Sequence, residues 1–170
     1  MEELLLTAKK FEVKRRRVTM PSGRVADWDI ICHPGAVVVL PVLDDGSVVL
    51  IHNYRPSVGQ TLLELPAGTL EADEQPEACA AREVEEETGY RARVIEPFAE
   101  FYTSPGILSE RMYVFVARGL TQVGQKLDEH EEITVETYAP DKIRQMLVQG
   151  KVMDGKTIAV LATYFLRAES

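Results

Sequence analysis

At 170 residues and 19.0 kDa the chain has room for one ordinary globular core and too little for two full domains. With 45% hydrophobic and 27% charged residues it has the composition of a folded protein in water, and no apolar run approaches the roughly 20 residues of a membrane-spanning helix. A formal net charge of −8 disfavours a binder of duplex nucleic acid or of an anionic membrane, but not of small anions held through a cation.

The N-terminal MEELLLTAKKFEVKRRR has too short an apolar stretch for a secretory signal, so a cytoplasmic protein is expected. No repeat or linker-like stretch divides the chain, although residues 1–35 read as an appendage to a main domain of 36–170. Residues 11–20 and 25–32 flank Pro21-Ser22-Gly23 as two strands of a hairpin, which His33-Pro34-Gly35 ends. The β-branched runs at 36–43 and 48–52 are separated by Asp44-Asp45-Gly46-Ser47, a hairpin signal for strands buried in a sheet. Further strands are expected at 62–65, 97–102, 111–117 and 133–138. Towards the end, 140–149 has a helical start and a Gly150 stop, and Ile158, Leu161, Ala162 and Phe165 repeat as one face of an amphipathic helix. Helices on a mixed sheet make this an α/β fold. Cys32 and Cys79 have no ligand-like or paired spacing and are expected to be buried free thiols.

Most of the excess charge is local. Residues 71–87 contain eight acidic residues and one base, Arg82, for a formal charge of −7. Pro76 suits the first turn of a helix and Gly89 its C′ position, so a helix is predicted over 76–88. At about 100° per residue, Glu83, Glu86 and Glu87 share an arc of about 100°, with Ala81, Val84 and Thr88 towards a more buried side. Like charges at these spacings destabilise a helix by roughly 0.2–0.5 kcal/mol per pair, and the helix dipole makes acids near the C-terminal end worse. Arg82 can reach Glu86 at i+4 and Glu85 at i+3 but cannot neutralise four glutamates. Either the face is simply solvated or a hard divalent cation compensates it, Mg²⁺ or Mn²⁺ bridged to phosphate being the usual arrangement.

Spacing decides between these. Gly68, Glu74, Arg82-Glu83-Val84, Glu86-Glu87 and Gly89-Tyr90 fall on G-x5-E-x7-R-E-U-x-E-E-x-G-U, where U is a bulky apolar residue, with Tyr90 the one mild departure. The segment resembles the signature of the Nudix hydrolase family at every fixed position. Asn53-Tyr54-Arg55, Leu63-Glu64-Leu65-Pro66-Ala67-Gly68, and Ser104-Pro105-Gly106 with Ser109-Glu110-Arg111 resemble its ADP-ribose pyrophosphatase and nucleoside-diphosphate-sugar hydrolase branch.

The resemblance implies a Nudix-type α/β/α sandwich and metal ligation by Glu83, Glu86 and Glu87, with the Ala67 carbonyl adding a further ligand and Arg82 orienting the glutamates. It implies Arg55 as a phosphate contact, against an ordinary surface arginine. Glu64 lies among leucines, where an unpaired carboxylate would be costly to bury, and is expected to face the site. Ser104, Pro105, Gly106 and Glu110 are substrate contacts on this reading, or else a turn and a solvated residue. Trp28 either stacks a base in a dimer-related pocket or is core.

The attacking water needs a proton acceptor, and in the resembling branch this is a glutamate on a loop remote from the helix. Residues 124–132 (GQKLDEHEE) supply Glu131 first and Glu129 second, which spacing does not separate; His130 between them reads as a bystander. The implied reaction splits the diphosphate of ADP-ribose into AMP and ribose 5-phosphate, with GDP-mannose or ADP-glucose as alternatives. A non-catalytic nucleotide-binding module would lack a box glutamate, and a calcium buffer would show D-x-D-x-D-G; neither sign is present. A homodimer through residues 1–35 is also expected.

Overall fold

The computed structural model describes residues 2–129 and 131–168, so His130 lies outside the described residues. The appendage is an antiparallel sheet of β1 (Glu2–Thr7), β2 (Glu12–Thr19) and β3 (Val25–Cys32). The β2–β3 hairpin is the expected one. β1 is an addition, because three consecutive leucines lack the alternation that marks a strand, and all three are exposed.

The chain continues through β4 (Ala36–Pro41), β5 (Val48–Arg55), β6 (Gln60–Glu64), β7 (Ala67–Thr69), α1 (Pro76–Thr88), β8 (Tyr90–Arg91), β9 (Val94–Tyr102), β10 (Arg111–Arg118), β11 (Thr121–Gln122), β12 (Ile133–Tyr138), α2 (Pro140–Val148) and α3 (Gly155–Ala168). Every residue of β4 is buried, and a strand buried on both faces needs a layer on each. Alternation assigns them. Ala36, Val38 and Leu40 pack in one core with Ile143 of α2 and Leu161 and Phe165 of α3, while Val37 and Val39 pack with Cys79, Ala80 and Val84 of α1. Each fully buried Val or Leu contributes roughly 1.5–3 kcal/mol, so the sheet holds helices on both faces. This is the α/β/α sandwich with a mixed sheet.

The turn at Asp44 to Ser47 forms as expected, with Gly46 N–H donating to Leu43 O at 2.9 Å and Leu43 N–H to Ser47 O at 2.8 Å. The long hairpin does not form. After a single bridge between Val42 and Val48 the strands enter different sheets, ordered β7-β4-β10-β9 and β12-β5-β6. The reason is that both edges of each strand are already taken: β4 pairs parallel with β10 and antiparallel with β7, and β5 pairs antiparallel with β12 and β6. In α3 the buried face is Thr157, Val160, Leu161 and Phe165, so the expected stripe is turned by one residue and Ile158 is exposed. Cys79 is buried and Cys32 only half-buried, and both are free thiols.

Candidate active site

Helix α1 begins with Pro76 and ends at Gly89, which takes the left-handed conformation (φ 73°) and donates its N–H to Glu85 O at 2.9 Å. Its buried residues are Cys79, Ala80, Glu83, Val84, Glu87 and Thr88. Val84 and Thr88 are buried as expected, but Ala81 is exposed, and the buried arc extends the other way over Glu83 and Glu87, at 8% and 3% exposure. Two carboxylates of the predicted face are therefore inside the protein.

Arg82 is the hub of the acidic cluster. Its Nε and Nη2 donate to the two oxygens of Glu74 at 3.0 and 3.1 Å, and its Nη1 donates to Glu83 at 2.6 Å and Glu86 at 3.1 Å. The fork matches a carboxylate bidentately, which explains why an arginine stands here. Glu85, an expected partner, turns away and accepts from Arg91 at 2.7 and 3.0 Å and from Lys126 at 3.3 Å. The Arg82 guanidinium holds Glu74 down at about 2. Burial pushes Glu83 up against the opposing pull of Arg82, and pushes Glu87 up to about 8 despite the Ala67 N–H, which donates to Glu87 at 2.9 Å. Among the described residues no three such side chains converge as a ready-made metal cage; Arg82 Nη1 bridges Glu83 and Glu86 as their counter-charge.

β7 fits against this helix with little clearance. A Cβ on Gly68 would stand 2.6 Å from Glu83 Cγ and closer still to its carboxyl group, so only glycine admits the carboxylate there. Ala67, Gly68, Glu83, Glu86 and Glu87 line one cavity of about 610 Å³, together with Asn53 and Arg55 of β5 and Glu131. Glu131 reaches it because its segment hangs from the end of α1: Val123 and Gly124 N–H donate to Gly89 O, Lys126 N–H to Glu86 O, and the Gln125 side chain to Glu87 O at 2.7 Å. These donors also occupy carbonyls at the negative end of the helix dipole. Glu131 is fixed further by accepting from Asp128 N–H at 3.0 Å. Glu129 is exposed and does not line this cavity, so the two residues that spacing could not separate differ in position.

A second cavity of about 660 Å³ adjoins the first across Arg55 and β7. Glu64 is fully buried beside it but is not free to meet a ligand: Arg55 donates to both its oxygens at 2.8 and 2.6 Å, and Lys156 donates to Oε2, the oxygen that also accepts from Arg55 Nη2. Glu110 lines this cavity and accepts from Thr103 at 2.6 Å. Ser104, Pro105 and Gly106 line neither cavity. They form an exposed turn docked on the appendage, where Ile31 N–H donates to Ile107 O, Ser109 N–H to Ile31 O, and His33 N–H to Ser109 Oγ. Trp28 is 45% exposed on β3 and also lines neither, so within one chain it is not core and touches neither cavity.

Lys156, Asp154 and Lys10, which line the second cavity, escape the sequence reading. Asp154 had a legible signal, an aspartate three residues before a threonine at a helix start; it accepts from Thr157 N–H at 2.9 Å.

The donor set is all oxygen, two of its carboxylates are buried, and burial makes their charge costly until a cation offsets it, so these residues fit a hard divalent ion. The NUDIX domain model matches residues 33–159. An ADP-ribose pyrophosphatase of Bacillus subtilis is 37% identical over 158 residues, covering 92% of this chain and 85% of that protein. A methanol dehydrogenase activator of Bacillus methanolicus is 34% identical over 154 residues, covering 89% and 82%. A crystal structure of an ADP compounds hydrolase superposes with a TM-score of 0.82 at 20% identity, covering 100% of this chain and 94% of that one, which establishes the fold. The chain belongs to the Nudix family. It is a pyrophosphohydrolase, of a family whose members generally need divalent metal ions.

Proposed function

We propose that the chain hydrolyses the diphosphate of ADP-ribose, giving AMP and ribose 5-phosphate, with Mg²⁺ or Mn²⁺ as the cation. The observation that carries this is the cavity that Glu83, Glu86, Glu87 and Glu131 line together with Arg55 and with Ala67 and Gly68 of β7, and the Bacillus subtilis relative carries the same activity in its name. Glu83, Glu86 and Glu87, with the Ala67 carbonyl, would hold the cation, which would supply charge neutralisation at the phosphoryl oxygens and a more acidic water. Arg82 orients Glu83 and Glu86 through one nitrogen. Arg55 binds the diphosphate, and Glu131 takes the proton of the water that attacks phosphorus as the bridging P–O bond breaks. Glu110 contacts the part of the substrate in the second cavity, and Ser104, Pro105 and Gly106 meet substrate from the exposed turn that Ile107 and Ser109 anchor to β3.

The test is a substrate panel with Mg²⁺ or Mn²⁺. AMP release from ADP-ribose is expected to exceed turnover of GDP-mannose and ADP-glucose; preference for a nucleotide sugar would move the assignment to that alternative, and no release with either ion would refute the reaction.

The exposed apolar side chains of the appendage, Leu4, Leu6, Val25 and Trp28, each at least 45% exposed and spread over both faces of its sheet, favour residues 1–35 as a dimerisation element beside a main domain of 36–170. In a dimer Trp28 could stack a base held by the partner chain. Light scattering should then give twice 19.0 kDa; a monomeric mass would count against it. No helix among the described residues is long and apolar enough to cross a membrane, and a cytoplasmic location goes with that reading.

A further inference from the structure

Among the described residues, Glu64 is the buried charged side chain outside α1. It is 0% exposed and carries two cations, Arg55 from β5 and Lys156 from the first turn of α3. Lys156 also meets Asp154 at 2.9 Å, which caps the same helix by accepting from Thr157 N–H. The result is an alternating chain, Arg55, Glu64, Lys156, Asp154, that joins β5 to α3. Thr157 completes the weld by accepting from Leu65 N–H at 2.8 Å.

Stability alone does not account for this chain. A lysine in the first turn of a helix opposes the dipole, and a buried ion pair is generally no more stabilising than apolar side chains of similar volume. What the arrangement does is fix Arg55. Glu64 engages Arg55 through Nε and Nη2, leaving Nη1 outside those bonds, and Arg55 stands at the border shared by the two cavities. Were Arg55 the sole counter-charge of Glu64, any move of the guanidinium towards a ligand would strand a buried carboxylate.

We propose that Lys156 is a positioning residue: it neutralises Glu64 from the helix side, so that Glu64 is a fixed seat for Arg55 and Arg55 remains available to the diphosphate. This rests on the reading that the diphosphate spans that border. It assigns α3, remote in sequence from the acidic box, a part in substrate affinity.

The test combines Lys156→Met and Lys156→Arg with Arg55→Ala. KM and kcat for ADP-ribose are measured with Mg²⁺, and the same proteins are titrated with inorganic pyrophosphate by calorimetry. Lys156→Met is expected to raise KM and weaken pyrophosphate binding about tenfold with kcat within about twofold, the pattern of lost uniform binding. Lys156→Arg should restore both, and in the Arg55→Ala chain Lys156→Met should add nothing. An unchanged KM and pyrophosphate affinity would overturn the proposal; so would an equal loss in the Arg55→Ala background, since Lys156 would then meet the ligand itself. If Lys156→Met does not fold, the double variant Glu64→Gln, Lys156→Met removes the pair together, and wild-type affinity in it would overturn the proposal equally. A wild-type chain that turns over no ADP-ribose refutes the reaction, while the pyrophosphate titrations still report on Lys156.

Discussion

Replacing Gly68 with alanine adds one methyl group and tests how closely the site is built. The backbone allows it, because Gly68 is outside the left-handed region. The side chain does not: the new Cβ would lie 2.6 Å from Glu83 Cγ, where ordinary contact begins at 3.4 Å, and nearer still to the carboxyl group. Glu83 must therefore retreat by about an ångström or more, whereas metal–ligand distances tolerate only about 0.2 Å. Misplacement on that scale costs on the order of 10²-fold in rate, or about 2.7 kcal/mol of barrier. Because the displaced group is a side-chain end, the fold should survive. We expect kcat/KM for AMP release from ADP-ribose to fall about 10²-fold, with an unchanged circular dichroism spectrum and a weakened Mg²⁺ titration midpoint. A folded Gly68→Ala protein that retains wild-type kcat/KM would refute the reasoning.

Glu131→Gln should lower kcat by about 10²–10⁴-fold while Glu129→Gln leaves it within about twofold, as expected of a base and an exposed neighbour; steady-state kinetics of the pair decides, and equal effects would withdraw the assignment. Burial holds Glu87 up at about 8, so uptake of a cation below that pH must expel a proton; calorimetry at pH 7 in buffers of different ionisation enthalpy should show proton release, which Glu87→Gln abolishes. Glu74 has the opposite sign. Its folded value of about 2 lies below the ordinary 4.5, so its pairing with Arg82 contributes stability that is present above about 4.5 and lost as pH falls towards 2. Acid unfolding of Glu74→Gln should therefore be flatter over that window than that of the wild-type chain, and parallel curves would contradict the pairing.

The acidic helix was legible to the residue because proline, glycine and the spacing of charge are all local signals, and α1 runs Pro76–Thr88 as predicted. The long core strands β4, β5, β10 and β12 followed from β-branched runs, whereas β1, β7, β8 and β11 carry no such run and were not foreseen. What the sequence could not show is what each element packs against. A helical wheel gives angles, so it grouped Glu83, Glu86 and Glu87 correctly but put Ala81 inside, where β7 and the sheet instead enclose the glutamates. Glu64 was suspect as a carboxylate among leucines, yet its second partner, Lys156, is 92 residues away and carries no local mark. The split of β4 from β5 has the same origin, since the turn between them is intact and only the competing neighbours β10, β7, β12 and β6 decide the sheets.

The junction at the end of α1 sets a dimension of the reactive centre by thinness. A side chain on Gly89 would stand 2.9 Å from Gly124 C and Gln125 N, so the two stretches that bring Glu87 and Glu131 to one cavity touch backbone to backbone. The gap between helix and following segment is thus a shim of zero thickness, and any larger residue at 89 would act as a wedge, widening the mouth without altering a single acidic group.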